Sequence, residues 1–139
     1  MLDKNFTVYK SSAGSGKTFT LVKEYLALAL NDAANPPQAY KHILAITFTN
    51  KAAAEMKERI IKALTELSVD DYSKLSKGTQ TLLSILKQHP KLNSSTPLDD
   101  TTIRIRAKNV LTAILHSYSD FAIGTIDSFV HKVVKTFAF

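Results

Sequence analysis

The residues best suited to chemistry in this sequence lie in the segment SSAGSGKT, residues 11–18. Its small residues allow the backbone to turn so that successive N–H groups point at an anion, and its lysine adds a positive charge. The hydroxyl group of Thr18 is of the kind that ligates magnesium, and a helix that follows adds the positive end of its dipole. The segment therefore predicts a loop that binds the phosphates of a nucleotide.

The first residue and the lysine of this segment bear on whether it is a phosphate loop or only a structural turn. Loops of this kind usually begin with glycine or alanine, whereas this chain has Ser11, which is small enough to cause little strain. A glycine-rich turn capped by Thr18 is the structural alternative, but it does not explain a lysine between Gly16 and Thr18. The predicted nucleotide-binding residues are Ser12, Ala13, Gly14, Ser15, Gly16, Lys17, Thr18 and Phe19.

The segments on either side provide the elements that must position this loop. A β-prone run, residues 6–9, precedes it, and apolar residues at helical spacing follow it over 18–30. The apolar run 42–48 has strand length and no alternation, which predicts a strand covered on both faces in a parallel sheet. A second amphipathic helix follows, with Asn50 as its expected N-cap. Strand, connection and helix thus occur twice in succession.

The chain becomes more polar from residue 68 onward. We predict one helix over 75–86 and another over 101–117, the second beginning near two aspartates that suit a helix N-terminus. We interpret 68–117 as a helical insertion.

A third β-prone run, residues 120–126, follows the insertion, and a last helix is expected to open at Asp127 and Ser128. Three strand-to-helix steps imply the α/β class, with a parallel sheet flanked by helices and joined by right-handed crossovers.

Composition limits the class of protein. A chain of 139 residues, 45% hydrophobic and 22% charged, fits one globular domain. Absence of cysteine excludes disulfides, thiolate metal sites and a cysteine nucleophile. No apolar run is long enough to span a bilayer and no secretory signal is visible, so we expect a cytoplasmic protein. The net charge of +6 favours an anionic partner, although basic residues spread along the chain also fit a solvated surface.

Three segments resemble motifs of the UvrD/Rep-type superfamily 1 DNA helicases, which include the RecB/AddA-like helicase–nuclease motors. SSAGSGKT is similar to their ATP-binding motif I, ILAITFTNKAAAEMKERI (43–60) to motif Ia, and AIGTIDSFVHKVV (122–134) to the next DNA-contacting motif. The three segments follow the family order. The resemblance implies a P-loop, RecA-like ATP-binding domain that uses ATP and magnesium. It assigns Lys17 and Thr18 as the catalytic residues, with Lys17 neutralising phosphate charge and Thr18 ligating magnesium.

The second and third motifs also predict a DNA-contacting edge, because the carboxyl ends of parallel strands form the ligand face of an open sheet. Hydroxyl and amide groups there can bind backbone phosphates, and an aromatic ring can stack on an unpaired base. The predicted DNA-binding residues are Phe48, Thr49, Asn50, Lys51, Thr125, Ser128 and Phe129.

Several of these residues have a purely structural alternative. Helix capping is at least as good an interpretation for Asn50, Asp127 and Ser128, and a core position is the better one for Phe129. Asp127 stands where the family commonly carries histidine, which puts its DNA role in doubt. We interpret His131 as a surface residue rather than a catalytic base. Solvation is preferred to DNA contact for Arg104, Arg106 and Lys108.

The resemblance further implies what this chain is a part of. Hydrolysis in the family needs an acidic magnesium motif after a later strand and arginines from a second motor domain, and no such acidic motif follows residue 127. We expect residues 1–139 to be the N-terminal part of a UvrD-like ATP-binding domain, which binds ATP and magnesium without efficient hydrolysis. The parent would translocate on single-stranded DNA in the 3′-to-5′ direction, and a fused nuclease, if present, would lie outside this chain.

Two further expectations follow. Missing strands would leave a sheet edge or an apolar patch exposed, which promotes self-association. The alternatives to a helicase part are a small P-loop nucleotide kinase and a non-catalytic nucleotide-binding module. The kinase would have only Arg104 and Arg106 as lid arginines and would leave TFTNKAAAEM unexplained.

Overall fold

The computed structural model describes residues 15–31, 40–41, 43–89, 92 and 99–137, with the backbone only for residues 15–17. These residues form helices and a small parallel sheet, consistent with the α/β class. Tyr72–Lys74 and Tyr118–Asp120 are single 3₁₀ turns. The helices and strands, in chain order, are α1 Ser15–Ala29, β1 Ala45–Thr47, α2 Asn50–Leu67, α3 Lys77–Gln88, α4 Asp100–His116, β2 Ile123–Thr125 and α5 Ile126–Phe137.

Strands β1 and β2 pair in parallel, with Ala45 opposite Ile123 and Thr47 opposite Thr125. Parallel neighbours need a long crossover, and the chain from α2 through α4 provides it. Both strands are shorter than expected, since each contains three residues and the start of the predicted run 120–126 falls in a 3₁₀ turn. The predicted strand 6–9 lies outside the described residues.

The sheet is covered less completely than the sequence suggested. Side chains alternate between the two faces of a strand, and those of Leu44 and Ile46 are 51% and 40% exposed, while Thr47 is buried. The prediction that this strand is covered on both faces is therefore wrong for the described residues. An apolar run without alternation shows that both faces can be buried, but it does not supply the element that buries the second face.

The hydrophobic core lies between the helices. The apolar face of the amphipathic helix α2 includes Met56, Ile60 and Leu64, which are buried, and α2 packs against α1 and α4. Tyr40 is fully buried, and its hydroxyl donates to the carbonyl of Ala113, 3.0 Å away, joining the segment before β1 to α4. Core packing thus fixes α2, the helix that leads away from β1.

Polar contacts attach α3 to the end of α2. The Glu66 carboxylate accepts hydrogen bonds from the Thr79 hydroxyl and from the backbone N–H of Ser76, the latter over 3.1 Å. These hydrogen bonds, with that from Thr79 the strongest, lower the pKa of Glu66 below its ordinary value of 4.5. The carboxylate therefore stabilises the start of α3 in its charged form.

Two arginines of α4 also make intramolecular contacts. Arg104 Nε donates to the carbonyl of Val69 over 2.9 Å, and its guanidinium lies 5.3 Å from the ring centre of Tyr72. Arg106 Nη1 donates to the carbonyl of Leu30 over 3.0 Å. Both arginines are partly buried and not simply solvated, because each donates to a carbonyl at the end of a neighbouring helix. Lys108 is exposed, as expected.

Helix α5 differs from the others because it has no buried residue. Its apolar residues form an exposed patch, of the kind expected for this chain, whereas self-association remains a prediction. The exposed apolar side chains are Ile126, Phe129, Val130, Val133, Val134 and Phe137. No helix within the described ranges is long and apolar enough to cross a membrane.

Candidate nucleotide and nucleic-acid site

The predicted phosphate loop leads into the first turn of α1. Helix α1 begins at Ser15, three residues before the predicted start, so Lys17 and Thr18 lie in its first turn. The N–H groups of a first turn have no acceptor within their own helix, and the helix dipole adds positive potential at this end. The helix start at residues 15–18 is therefore in the place that the predicted phosphate site requires, and phosphate binding stays a prediction. Ser12, Ala13 and Gly14 lie outside the described residues.

The remaining nucleotide residues of this helix differ in surroundings. Thr18 is half-buried, and the neighbouring ring of Phe19 packs against the hydrophobic core. Phe19 therefore anchors the first turn of α1, a role that the prediction of nucleotide contact did not include. The side chains of Ser15 and Lys17 lie outside the described part of the structure, so the assignments of Ser15, Gly16 and Lys17 stay predictions.

A magnesium ion at this site would take most of its ligands from the nucleotide and from water. The described ranges hold no group of three or more His, Asp or Glu side chains that are placed to bind a metal. Magnesium commonly retains waters and binds through one or two protein oxygens together with substrate phosphates. The hydroxyl of Thr18, in the first turn, fits that kind of coordination.

The parallel register brings the ends of the second and third motifs together. Thr47 lies opposite Thr125, and each is the last residue of its strand. The Thr47 hydroxyl lies within donating distance of the carbonyls of Thr49 and Gly124, at 3.1 and 3.3 Å. One buried hydroxyl thus joins the backbone that leaves β1 to the backbone of β2.

The turn after β1 presents an aromatic ring and polar groups. Phe48 is 77% exposed, and Asn50 and Lys51 are also exposed. The N-cap of α2 is Thr49, whose hydroxyl accepts from the N–H of Ala52 over 3.0 Å. The expected cap, Asn50, is therefore wrong by one residue, and its amide does not perform the capping. This leaves Phe48, Asn50 and Lys51 at the surface beside the strand end.

The turn after β2 is held by a reciprocal pair of hydrogen bonds. The N–H of Thr125 donates to Ser128 Oγ over 3.0 Å, and the N–H of Ser128 donates to Thr125 Oγ1 over 3.2 Å. A Cβ at Gly124 would lie 2.9 Å from Ser128 Oγ, so a larger residue there would displace this hydroxyl from its hydrogen bonds. Ser128 therefore has the structural role that was its alternative interpretation, and its DNA role stays a prediction.

The structure also tests the interpretations of Asp127, Phe129 and His131, which follow β2. Helix α5 begins at Ile126 and Thr125 supplies the capping oxygen, so the interpretation of Asp127 as the cap is wrong. Phe129 is 38% exposed, which contradicts a core position and leaves part of its ring accessible. His131 is exposed, as expected of a surface histidine.

The structure therefore gathers all seven predicted DNA-binding residues at the carboxyl ends of β1 and β2 and at the starts of the helices that follow these strands. Sequence reasoning missed a neighbouring set, Lys57, Tyr118 and Lys132, which line a cleft of about 300 Å³ beside β2 together with Thr125, Ser128 and Phe129. Lys57 and Lys132 belong to the quoted motif segments, but their convergence depends on the pairing of β1 with β2. One weak indication of this cleft was present in the sequence: Tyr118 is an aromatic residue just before the predicted strand 120–126.

Comparison with known proteins shows the family to which the chain is similar. The family model described as UvrD/REP helicase N-terminal domain matches residues 2–139. The chain is 45% identical over 69 residues to a probable DNA helicase of Mycoplasma pneumoniae, covering 50% of this chain and 12% of the relative. It is 35% identical over 123 residues to an ATP-dependent helicase/nuclease subunit of Clostridium botulinum, covering 88% of this chain and 8% of the relative.

The corresponding helicase/nuclease subunit of Clostridium kluyveri is 40% identical over 78 residues, which cover 56% of this chain and 6% of the relative. The chain thus spans a small part of the length of these three relatives. No solved structure gives a significant match to it.

Proposed function

Because the chain belongs to the UvrD/REP helicase N-terminal domain family, we propose that it is the nucleotide- and DNA-binding part of an ATP-dependent DNA helicase or helicase–nuclease. The observation that carries the proposal is the register of Thr47 opposite Thr125. It brings the turns of two motifs to one edge, next to exposed aromatic and amide groups. In this proposal residues 1–139 form part of a RecA-like domain, in which 68–117 is a helical insertion.

At the nucleotide, this chain contributes charge and orientation. The first-turn N–H groups of α1 and the loop before it hold phosphate oxygens, Lys17 neutralises the charge that develops during phosphoryl transfer, and the Thr18 hydroxyl ligates magnesium. Bound magnesium supplies electrostatic stabilisation of the phosphates. The chain by itself binds Mg–ATP without efficient hydrolysis, because the acidic motif and second-domain arginines that the family uses are not in its sequence.

At the DNA, the two turns act as one grip on a single strand. Phe48 stacks on an unpaired base, while Asn50 and Lys51 bind the backbone phosphates. On the other strand end, Phe129 adds a second aromatic surface, and Thr125 and Ser128 set the shape of the turn. The Thr47 hydroxyl couples the two turns, so movement at one strand end is transmitted to the other. In the parent, such coupling supports translocation along single-stranded DNA.

Nucleotide binding is tested by thermal unfolding of the chain with and without Mg–ATP. At a hundredfold excess over the dissociation constant, ligand should stabilise the chain by about 2.7 kcal/mol. Lys17→Ala should remove most of this shift, whereas Lys23→Ala, later in the same helix, should retain it. Equal shifts in the two variants would refute the assignment of Lys17. A phosphoryl-transfer assay with nucleoside acceptors should give no phosphorylated nucleoside, and formation of that product in the absence of DNA would favour a nucleotide kinase.

DNA binding is tested by fluorescence anisotropy with a labelled oligothymidylate. Phe48→Ala should weaken binding by the loss of one stacked base, roughly 1–3 kcal/mol. The control is Leu115→Ala, which removes another exposed apolar side chain far along the sequence, in α4, and should leave binding unchanged. Unaltered affinity in Phe48→Ala would count against the strand-end grip.

A further inference from the structure

The cleft that sequence reasoning missed lies next to the strand-end edge and is defined here as the basic cleft. It has a volume of about 300 Å³ and runs along β2 between α2, the 3₁₀ turn before β2, and α5. It shares Thr125, Ser128 and Phe129 with the predicted DNA edge but extends toward the amino end of β2. The residues that carry its chemistry are Lys57, Tyr118, Phe121, Ser128, Phe129 and Lys132.

The charged residues in the described lining of the basic cleft are both lysines. Lys57 and Lys132 line it, and no aspartate or glutamate is among its described lining residues. None of the ion pairs in the described ranges involves either lysine. The nearest aspartate before β2, Asp120, lies 3.7 Å from Lys41 and is paired there. Two ammonium groups are therefore available to an anion at this cleft.

The aromatic groups of the cleft are held in place. Lys57 Nζ lies 5.5 Å from the ring centre of Tyr118 and 6.0 Å from that of Phe121. The rings of Tyr118 and Phe121 meet edge to face, with centres 5.8 Å apart at 71°. Phe121 is buried, whereas Tyr118 is 49% exposed. Tyr118 is thus a preorganised aromatic surface beside a cation, a combination that suits a base attached to a phosphate.

A second cleft on the same helix provides a contrast. It has a volume of about 360 Å³, and its lining includes Glu66, Asp70 and Asp71 at the carboxyl end of α2. Lys57 and Glu66 are nine residues apart, or about 13 Å along the helix axis. A polyanion is attracted to the first cleft and repelled from the second, so the charge of α2 selects one end for an anionic ligand.

We infer that the basic cleft binds a phosphate and an adjacent unstacked base of single-stranded nucleic acid. The nucleic-acid strand runs from the carboxyl ends of β1 and β2 along β2 and α5. It places a phosphate at Lys57 and Lys132 and a base against Tyr118. The inference rests on the proposed function, which supplies the path of the nucleic-acid strand up to the cleft. It lengthens the binding site beyond the seven predicted DNA-binding residues, and Tyr118 lies outside all three motif segments.

The test measures anisotropy of a labelled oligothymidylate across a range of salt concentrations with the whole 139-residue chain. The double variant Lys57→Gln/Lys132→Gln should weaken binding at least about tenfold at low salt. Each lost phosphate contact should reduce the magnitude of the slope of log affinity against log salt by about 0.7. The matched control, Lys62→Gln/Lys77→Gln, removes the same charge from exposed positions and should lose little affinity. An equal loss in both double variants would overturn the inference.

The aromatic part has its own variants. Tyr118→Leu should weaken binding without changing the salt slope, and Tyr118→Phe should retain the affinity because the ring remains. Circular dichroism and thermal unfolding verify that each variant folds, and the lysine double variant still tests the cleft if the leucine variant does not fold. Weakening by Tyr118→Phe as large as that by Tyr118→Leu would contradict stacking.

The outcomes separate this inference from the proposed function. If Phe48→Ala weakens binding and the cleft variants do not, the strand-end grip stands and the basic cleft is overturned. If only the cleft variants weaken binding, the cleft stands and the strand-end grip fails. Absence of any binding by the unaltered chain overturns both. Self-association that is lost in the cleft variants, with DNA binding unchanged, would assign the cleft to a protein contact instead.

Discussion

Helices α4 and α5 are both amphipathic in sequence, yet their apolar residues have opposite surroundings. In α4, Ile103, Ala107, Val110 and Ile114 are buried against the core, whereas the described residues of α5 include none that is buried. Helix α4 faces the apolar stripe of α2, while α5 contacts the two short strands. An amphipathic pattern therefore shows which face of a helix can be buried, but burial requires an opposing surface.

The N-termini of α4 and α5 are also stabilised by different contacts. The Asp99 carboxylate caps α4 by accepting from the N–H of Thr102 over 2.8 Å, and hydrogen bonds from Thr102 lower the pKa of Asp99. Helix α5 is started by the reciprocal bonds of Thr125 and Ser128 at the end of β2. Core packing and a cap hold α4, whereas strand-end polar contacts hold α5. The helix beside the proposed DNA site is thus the one that contributes least to the core.

The largest expected effect on stability is in α4. Val110→Ala removes two methyl groups from a fully buried position and should lower the free energy of unfolding by about 2 kcal/mol through lost burial and the cavity left behind. Denaturant-induced unfolding of the 139-residue chain measures it. A change below about 0.5 kcal/mol, the range of surface substitutions, would mean that α4 is not packed as described.

An intermediate effect is expected where Glu66 attaches α3 to α2. Because the folded-state pKa of Glu66 is lowered, its carboxylate adds stability above the unfolded pKa, and this contribution is lost as the pH falls through the folded pKa. Glu66→Gln should therefore lower the melting temperature at pH 7, and the difference should shrink as the pH drops below 4.5. Glu58→Gln, an exposed control in the same helix, should change little. A deficit independent of pH would contradict the role of the charge.

The smallest effect on stability is expected for a valine-to-alanine substitution in α5, which matches the Val110→Ala substitution in α4. Val134 is 59% exposed, and Val134→Ala should change the free energy of unfolding by less than about 0.5 kcal/mol. Alanine also has the better helix propensity, which offsets the small loss of buried area. A loss as large as that of Val110→Ala would show that α5 is covered in solution, and sedimentation at increasing concentration would then reveal whether a second copy covers it.

Much of the local structure was predictable because it depends on short-range physics. The buried stripe of α2 and the extent of α4 follow from helical periodicity, and a helix begins within the predicted phosphate segment, three residues earlier than expected. The caps were less predictable: Thr49 rather than Asn50 caps α2, and Thr125 rather than Asp127 caps α5. Adjacent residues with similar capping oxygens compete, and the choice depends on where the strand before them ends.

The sequence by itself determined which segments can bind a phosphate, form helices and bury an apolar face, because backbone freedom, side-chain charge and periodicity are local properties. Only the tertiary structure decided that Thr47 lies opposite Thr125, that Lys57, Tyr118 and Lys132 converge, and that Arg104 and Arg106 bind carbonyls. Those contacts join residues far apart in the chain. Their formation depends on strand register and on which surfaces meet, and neither is encoded in the neighbours of any one residue.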